Sequence, residues 1–147
     1  MRNTFLFWLV CALLFSSGVM AQKGDRIKYK ADRLTNSRAG KVRFKKLLYN
    51  VVFTQKSTTV YCDSAYFYSK SNEMEAFGRV RIVDDSVTIT SKKLIYKGNE
   101  GMALLREDVI YRKGRKVLYT DILDYNLLTE VGEFKEHGKL VDERNTL

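Results

Sequence analysis

The chain repeats at a step of 29 residues, and that step limits its possible folds more than any other feature. Val51, Val80 and Val109 stand 29 apart, and Leu47, Ala76, Leu105 and Phe134 keep the same interval. Tyr68, Tyr96 and Tyr125 are 28 and 29 apart, each with an apolar or aromatic residue two positions earlier: Tyr66, Leu94 and Leu123. A small residue followed by Asp recurs at Ala31-Asp32, Cys62-Asp63 and Thr120-Asp121, with Ser91-Lys92 at that place in the third copy. Four copies begin near residues 27, 58, 86 and 115, the first being the least regular. One such unit cannot bury its own apolar face, whereas stacked units share a continuous interior.

Each copy reads as two strands and a turn. Along residues 73–82, Met74, Ala76, Val80 and Ile82 fall on one face and Glu73, Glu75, Arg79 and Arg81 on the other, which is the period of two of a strand. By the same alternation Val60, Cys62, Tyr66 and Tyr68 are expected to share a face in the strand before it. Turns are expected at residues 69–72, 84–85, 97–101 and 113–115, where Gly, Asn, Ser and Asp gather. No segment after residue 21 combines a helical period with caps. The expected fold is all-β with eight or more strands: an elongated, twisted β-jellyroll or solenoid-like roll.

Residues 1–21 read as an export leader: Arg2, an apolar run from Phe5 to Phe15, then Ser16-Ser17-Gly18 and Val19-Met20-Ala21. The run is shorter than the ~20 apolar residues of a membrane span. Cleavage is expected before Gln22, leaving one domain over 22–147. That domain contains a single cysteine, Cys62, so no disulfide scaffold holds it. A lone thiol suits an oxidising compartment if it is buried or otherwise inert.

The series Cys62-Asp63-Ser64-Ala65, Glu75-Ala76-Phe77-Gly78-Arg79-Val80, Leu94-Ile95-Tyr96, Val109 and Thr120-Asp121-Ile122-Leu123-Asp124-Tyr125 resembles the LptA/OstA-like family, from about Val51 to Asp142. The resemblance implies a periplasmic β-jellyroll that binds lipopolysaccharide, carries its acyl chains in an apolar groove and joins edge to edge into a bridge between the two membranes. It implies no enzyme and no cofactor, with other envelope transport components as partners. The groove candidates, inward by alternation, are Leu47, Val51, Phe53, Met74, Ala76, Val80, Ile82, Leu105, Val109, Tyr111 and Phe134. Alternation indicates burial but not what a side chain is buried against, so filling a packed core is the competing role for each.

The net charge is concentrated at one end. Residues 22–46 hold ten basic residues and two acids, while residues 47–147 hold fifteen of each. Such a segment attracts phosphorylated anionic glycolipids, and Lys41, Arg43, Lys45 and Lys46 are the headgroup candidates; a solvated basic face is the plainer alternative. Nucleic acid is not expected, because export and the lack of a recognised motif count against it. Residues 121–143 hold seven acids, so a head-to-tail homo-oligomer is a further expectation.

Little in the chain suggests catalysis. His137 is the one histidine and lies in a charged segment without metal-ligand spacing to Cys62. Asp32, Asp63 and Asp121 recur with the repeat, which points to a turn or strand-edge role. The pairs Asp84-Asp85 and Glu107-Asp108 could belong to a glycan-cleaving β-solenoid, but neighbours on a strand point to opposite faces. A structural or adhesive module with a packed core is the stronger alternative to a carrier.

Overall fold

The computed structural model describes residues 25–135 and 137–142. The expected leader, residues 1–21, lies outside them. Ten strands follow in order: β1 (Lys28–Lys30), β2 (Arg33–Ala39), β3 (Val42–Gln55), β4 (Thr58–Tyr68), β5 (Glu73–Asp84), β6 (Val87–Lys97), β7 (Met102–Lys113), β8 (Lys116–Asn126), β9 (Val131–Lys135) and β10 (Lys139–Asp142). Strands β3 to β8 form an antiparallel meander, each paired with the next. The chain is all-β among the described residues, a twisted β-jellyroll as expected. The turns fall where expected, between β4 and β5, β5 and β6, β6 and β7, and β7 and β8.

The meander folds across its middle. In β3, β5 and β7 one extra residue interrupts the register, between Leu48 and Val51, Phe77 and Val80, and Arg106 and Val109. Two consecutive residues at each interruption take positive φ: Tyr49 (62°) and Asn50 (47°), Gly78 (73°) and Arg79 (41°), Glu107 (65°) and Asp108 (52°). These pairs again stand 29 apart. A β-bulge bends its strand and increases the local twist, and three bulges in line crease the whole sheet. The crease divides each long strand into two halves, which become two facing half-sheets.

The end strands obey the same division. β1 pairs with the second half of β3, placing Tyr29 opposite Phe53, and β2 pairs with the first half, placing Leu34 opposite Leu47. At the other end β10 pairs with the first half of β8 (Leu140 opposite Leu118) and β9 with the second (Phe134 opposite Leu123). The basic segment is therefore built into the roll through β1 and β2.

The crease also explains the one alternation that fails. Buried residues in β3, β5 and β7 step by four across it: Leu47 to Val51, Ala76 to Val80, Leu105 to Val109. In β4, β6 and β8 they step by three: Cys62 to Ala65, Ser91 to Leu94, Thr120 to Leu123. A step of four preserves parity, so extrapolation along β5 succeeds. A step of three reverses it, so Tyr66 and Tyr68 do not share the inward face of Val60 and Cys62. Ala65 and Phe67 do. Tyr66 and Tyr68 instead stand on the outer face, their rings 5.1 Å and 5.7 Å from that of Phe44.

Candidate functional site

The apolar interior between the half-sheets is the candidate site. Nine groove candidates line it at 0–1% exposure: Leu47, Val51, Phe53, Met74, Ala76, Val80, Ile82, Leu105 and Val109. Tyr111 is half-buried against the same core, its ring 5.4 Å from that of Tyr125 on the facing half-sheet. Phe134 departs from the expected burial and is 50% exposed. It lies opposite the buried Leu123 and so shares the inward face, but among the described residues β9 is the last strand of its half-sheet, and Gly138 beside the ring has no side chain to cover it. Leu140 on β10 and Leu34 on β2 are placed alike, at 68% and 46% exposure. Among the described residues an inward apolar side chain thus reaches the last strand at both ends and is left partly open there. Ile89, Leu94 and Leu123 belong to the same interior, although the sequence reading did not select them. Leu94 and Leu123 follow the step of three in the even strands, and Ile89 alternates by two with Val87 and Ser91 before that step.

Opposite the crease, the hairpin tips of the two half-sheets meet in a polar seam. Gln55 donates through Nε2 to the carbonyl of Gly98 at 3.0 Å and to that of Asp25, and it accepts from the Tyr96 hydroxyl at 2.6 Å. Burial is the main force raising the Tyr96 hydroxyl pKa to about 12, with the negative charge of Asp84 adding to it. Asn72 accepts from the Ile27 backbone N–H at 3.0 Å and donates to Asn99 Oδ1 at 3.0 Å. Ile27 is buried in the core. Residues 25–27 thus strap the seam shut at the first end of the roll, and a cavity of about 80 Å³ remains beneath the tips, near Tyr96 and Leu127.

Outside, the crease carries the acids that recur with the repeat. Asp32 accepts from Asn50 Nδ2 at 2.6 Å, and Asp63 pairs with Arg79 at 2.7 Å. Lys92 pairs with Asp108 at 2.5 Å and Lys93 with Glu107 at 2.6 Å. Asp63 therefore serves the mid-strand bend and not a turn or strand edge. Glu107 and Asp108 sit in the crease itself, both exposed and each held by a lysine, which leaves no free carboxylate pair there. These exposed pairs are screened by water, so they orient the crease more than they stabilise it. Cys62 is buried beside it, and its thiol is pushed up to about 12, chiefly by burial and further by Asp63. A thiol held protonated in this way is a poor nucleophile.

The four headgroup candidates separate. Lys41 lies in the β2–β3 turn, and Lys46 is exposed on the outer face. Lys45 lies opposite the buried Phe67 and so points inward. It donates to the Tyr29 hydroxyl, with its ammonium 4.9 Å over that ring. Arg43, two residues before it, shares the inward face. Both line an open recess of about 530 Å³ at the first end of the roll. His137 lies at a second recess, of about 610 Å³, at the far end.

Comparison with known proteins gives one family and one fold. The model of the OstA-like protein family matches residues 25–147. The chain is similar in structure to LptH of Pseudomonas aeruginosa, described as the LptA-homologous periplasmic component of the conserved lipopolysaccharide transport device. The TM-score is 0.68 at 12% identity, over 80% of this chain and 94% of that one. No curated protein matches the chain.

Proposed function

The chain belongs to the OstA-like family, and on that premise we propose that it is a periplasmic component of lipopolysaccharide transport. It shields acyl chains in its interior and helps bridge the inner and outer membranes. Residues 1–21 direct export and are removed. Its partners are lipopolysaccharide, other envelope transport components and further copies joined head to tail. It binds and passes its cargo without covalent chemistry and without a cofactor.

The observation that carries this reading is an apolar interior that reaches, among the described residues, partly open end strands, with Leu34 at one end and Phe134 and Leu140 at the other. Each methylene withdrawn from water is worth about 0.8 kcal/mol, and similar sites along the stacked strands offer a path without a deep trap. The central side chains leave no exposed surface to line an open groove. Acyl chains must therefore enter by parting the half-sheets, and the polar seam is the weaker side. The near-zero exposure of Leu105 and Ile82 also favours a second reading, a structural module whose interior admits nothing.

In-cell photo-crosslinking separates the two. A crosslinker at the inward positions Val80 and Leu105 is expected to capture lipopolysaccharide. One at the outward positions Arg79 and Arg81 is not. A folded, exported protein with no adduct at either inward site refutes the carrier reading.

A further inference from the structure

We propose that the recess at the first end of the roll binds the phosphate group of a phosphorylated amphiphile on Arg38, Arg43 and Lys45. The amphiphile part rests on the transport reading above; the phosphate part stands on the recess alone. Arg38 and Arg43 lie directly opposite one another on β2 and β3. Like charges so placed repel. Among the described residues no carboxylate pairs with either arginine or with Lys45. The crease cations Arg79, Lys92 and Lys93 each have an acid, whereas these three cations line one recess together without one.

The geometry suits an anion from outside. Arg38 donates through Nε to the Gly40 carbonyl at 2.8 Å, which holds the guanidinium beside the recess that it lines and leaves its terminal amino groups available to a ligand. Two guanidinium forks on adjacent strands match the oxygens of one phosphate. Its charge converts the repulsive pair into a clamp. Lys45 is held in place by Tyr29. The inward face of β3 then runs Arg43, Lys45, Leu47, from exposed cation through half-buried cation to a fully buried leucine. That is the polarity of an amphiphile laid along the strand, with the phosphate at the recess and the first methylenes toward Leu47 and Phe67. Lys41 and Lys46, on the turn and the outer face, take no part.

Titration of the folded, exported chain with three probes tests this: dodecyl phosphate, the uncharged dodecyl maltoside, and glycerol phosphate, which has no alkyl chain. Arg38→Gln and Arg43→Gln are each expected to weaken dodecyl phosphate about tenfold, the loss of one charge-assisted contact, and to leave dodecyl maltoside unchanged. Lys46→Gln, on the outer face, should change either affinity less than about twofold. Glycerol phosphate binding that disappears in Arg43→Gln supports the clamp even if neither alkyl probe binds, an outcome that defeats only the transport reading and points to free phosphate as the source. Equal dodecyl phosphate affinity in all variants, or an equal loss in Lys46→Gln, overturns the proposal, because diffuse charge then accounts for the attraction.

Discussion

Replacing Gly78 by alanine tests whether the crease depends on left-handed backbone. Gly78 has φ +73°, and a Cβ there would stand 2.5 Å from Asp63 Oδ2 and 3.1 Å from Asp63 Cβ. A left-handed conformation costs a non-glycine residue about 1–2 kcal/mol, and glycine is the residue that avoids it. The methyl group additionally forces the Asp63 carboxylate away from Arg79. Gly78→Ala is therefore expected to destabilise the fold by at least about 1–2 kcal/mol, lowering Tm by roughly 2–8 °C. Urea unfolding followed by far-UV circular dichroism measures it, with the midpoint falling and the slope unchanged because the surface exposed on unfolding is the same. In an Asp63→Ala background the contact is gone, so the penalty should shrink to the backbone part. At the same place in the repeat, Glu107 already bears a side chain at φ 65°. Glu107→Gly relieves that strain but adds freedom to the unfolded chain, and its effect should be smaller than that of Gly78→Ala. A Gly78→Ala midpoint equal to or above that of the wild type would refute the reasoning that the sheet bends through this conformation.

Two further outcomes follow from the seam and the buried groups. Asn72→Ala removes the acceptor of the buried Ile27 N–H and places alanine at φ 57°; a loss of about 1–3 kcal/mol is expected, with faster hydrogen exchange at the Ile27 amide, whereas Asn72→Gly should recover the backbone part only. Cys62 and Tyr96 have hydroxyl or thiol pKa values raised by burial to about 12. The unfolded chain releases these protons first, so their stabilising effect is intact below pH ~8.5 and is lost as pH rises toward 12. Thermal melts should fall over that window, less steeply in Cys62→Ala, and native Cys62 should resist a thiol reagent at pH 8 until the protein unfolds.

The sequence by itself determined the strand architecture, the number of copies, the turns and most of the inward face. Alternation within a strand is local, and it is enforced by the pleat wherever one face is buried. It succeeded along β5 because four residues separate Ala76 from Val80, and it failed at Tyr66 and Tyr68 because three separate Cys62 from Ala65. The bulges that set those steps sit at Tyr49-Asn50 and Glu107-Asp108 as well as at Gly78-Arg79, and only one of the three contains the glycine that would have marked it. Tertiary structure alone decided where the sheet creases, how β1 and β2 share the two halves of β3, and therefore which cations of the basic segment turn inward. It also decided that Phe134 lies open while Leu105, one repeat earlier, is sealed. Both positions alternate correctly, but burial needs a strand stacked beyond, and pairing between distant strands is not written in any single segment.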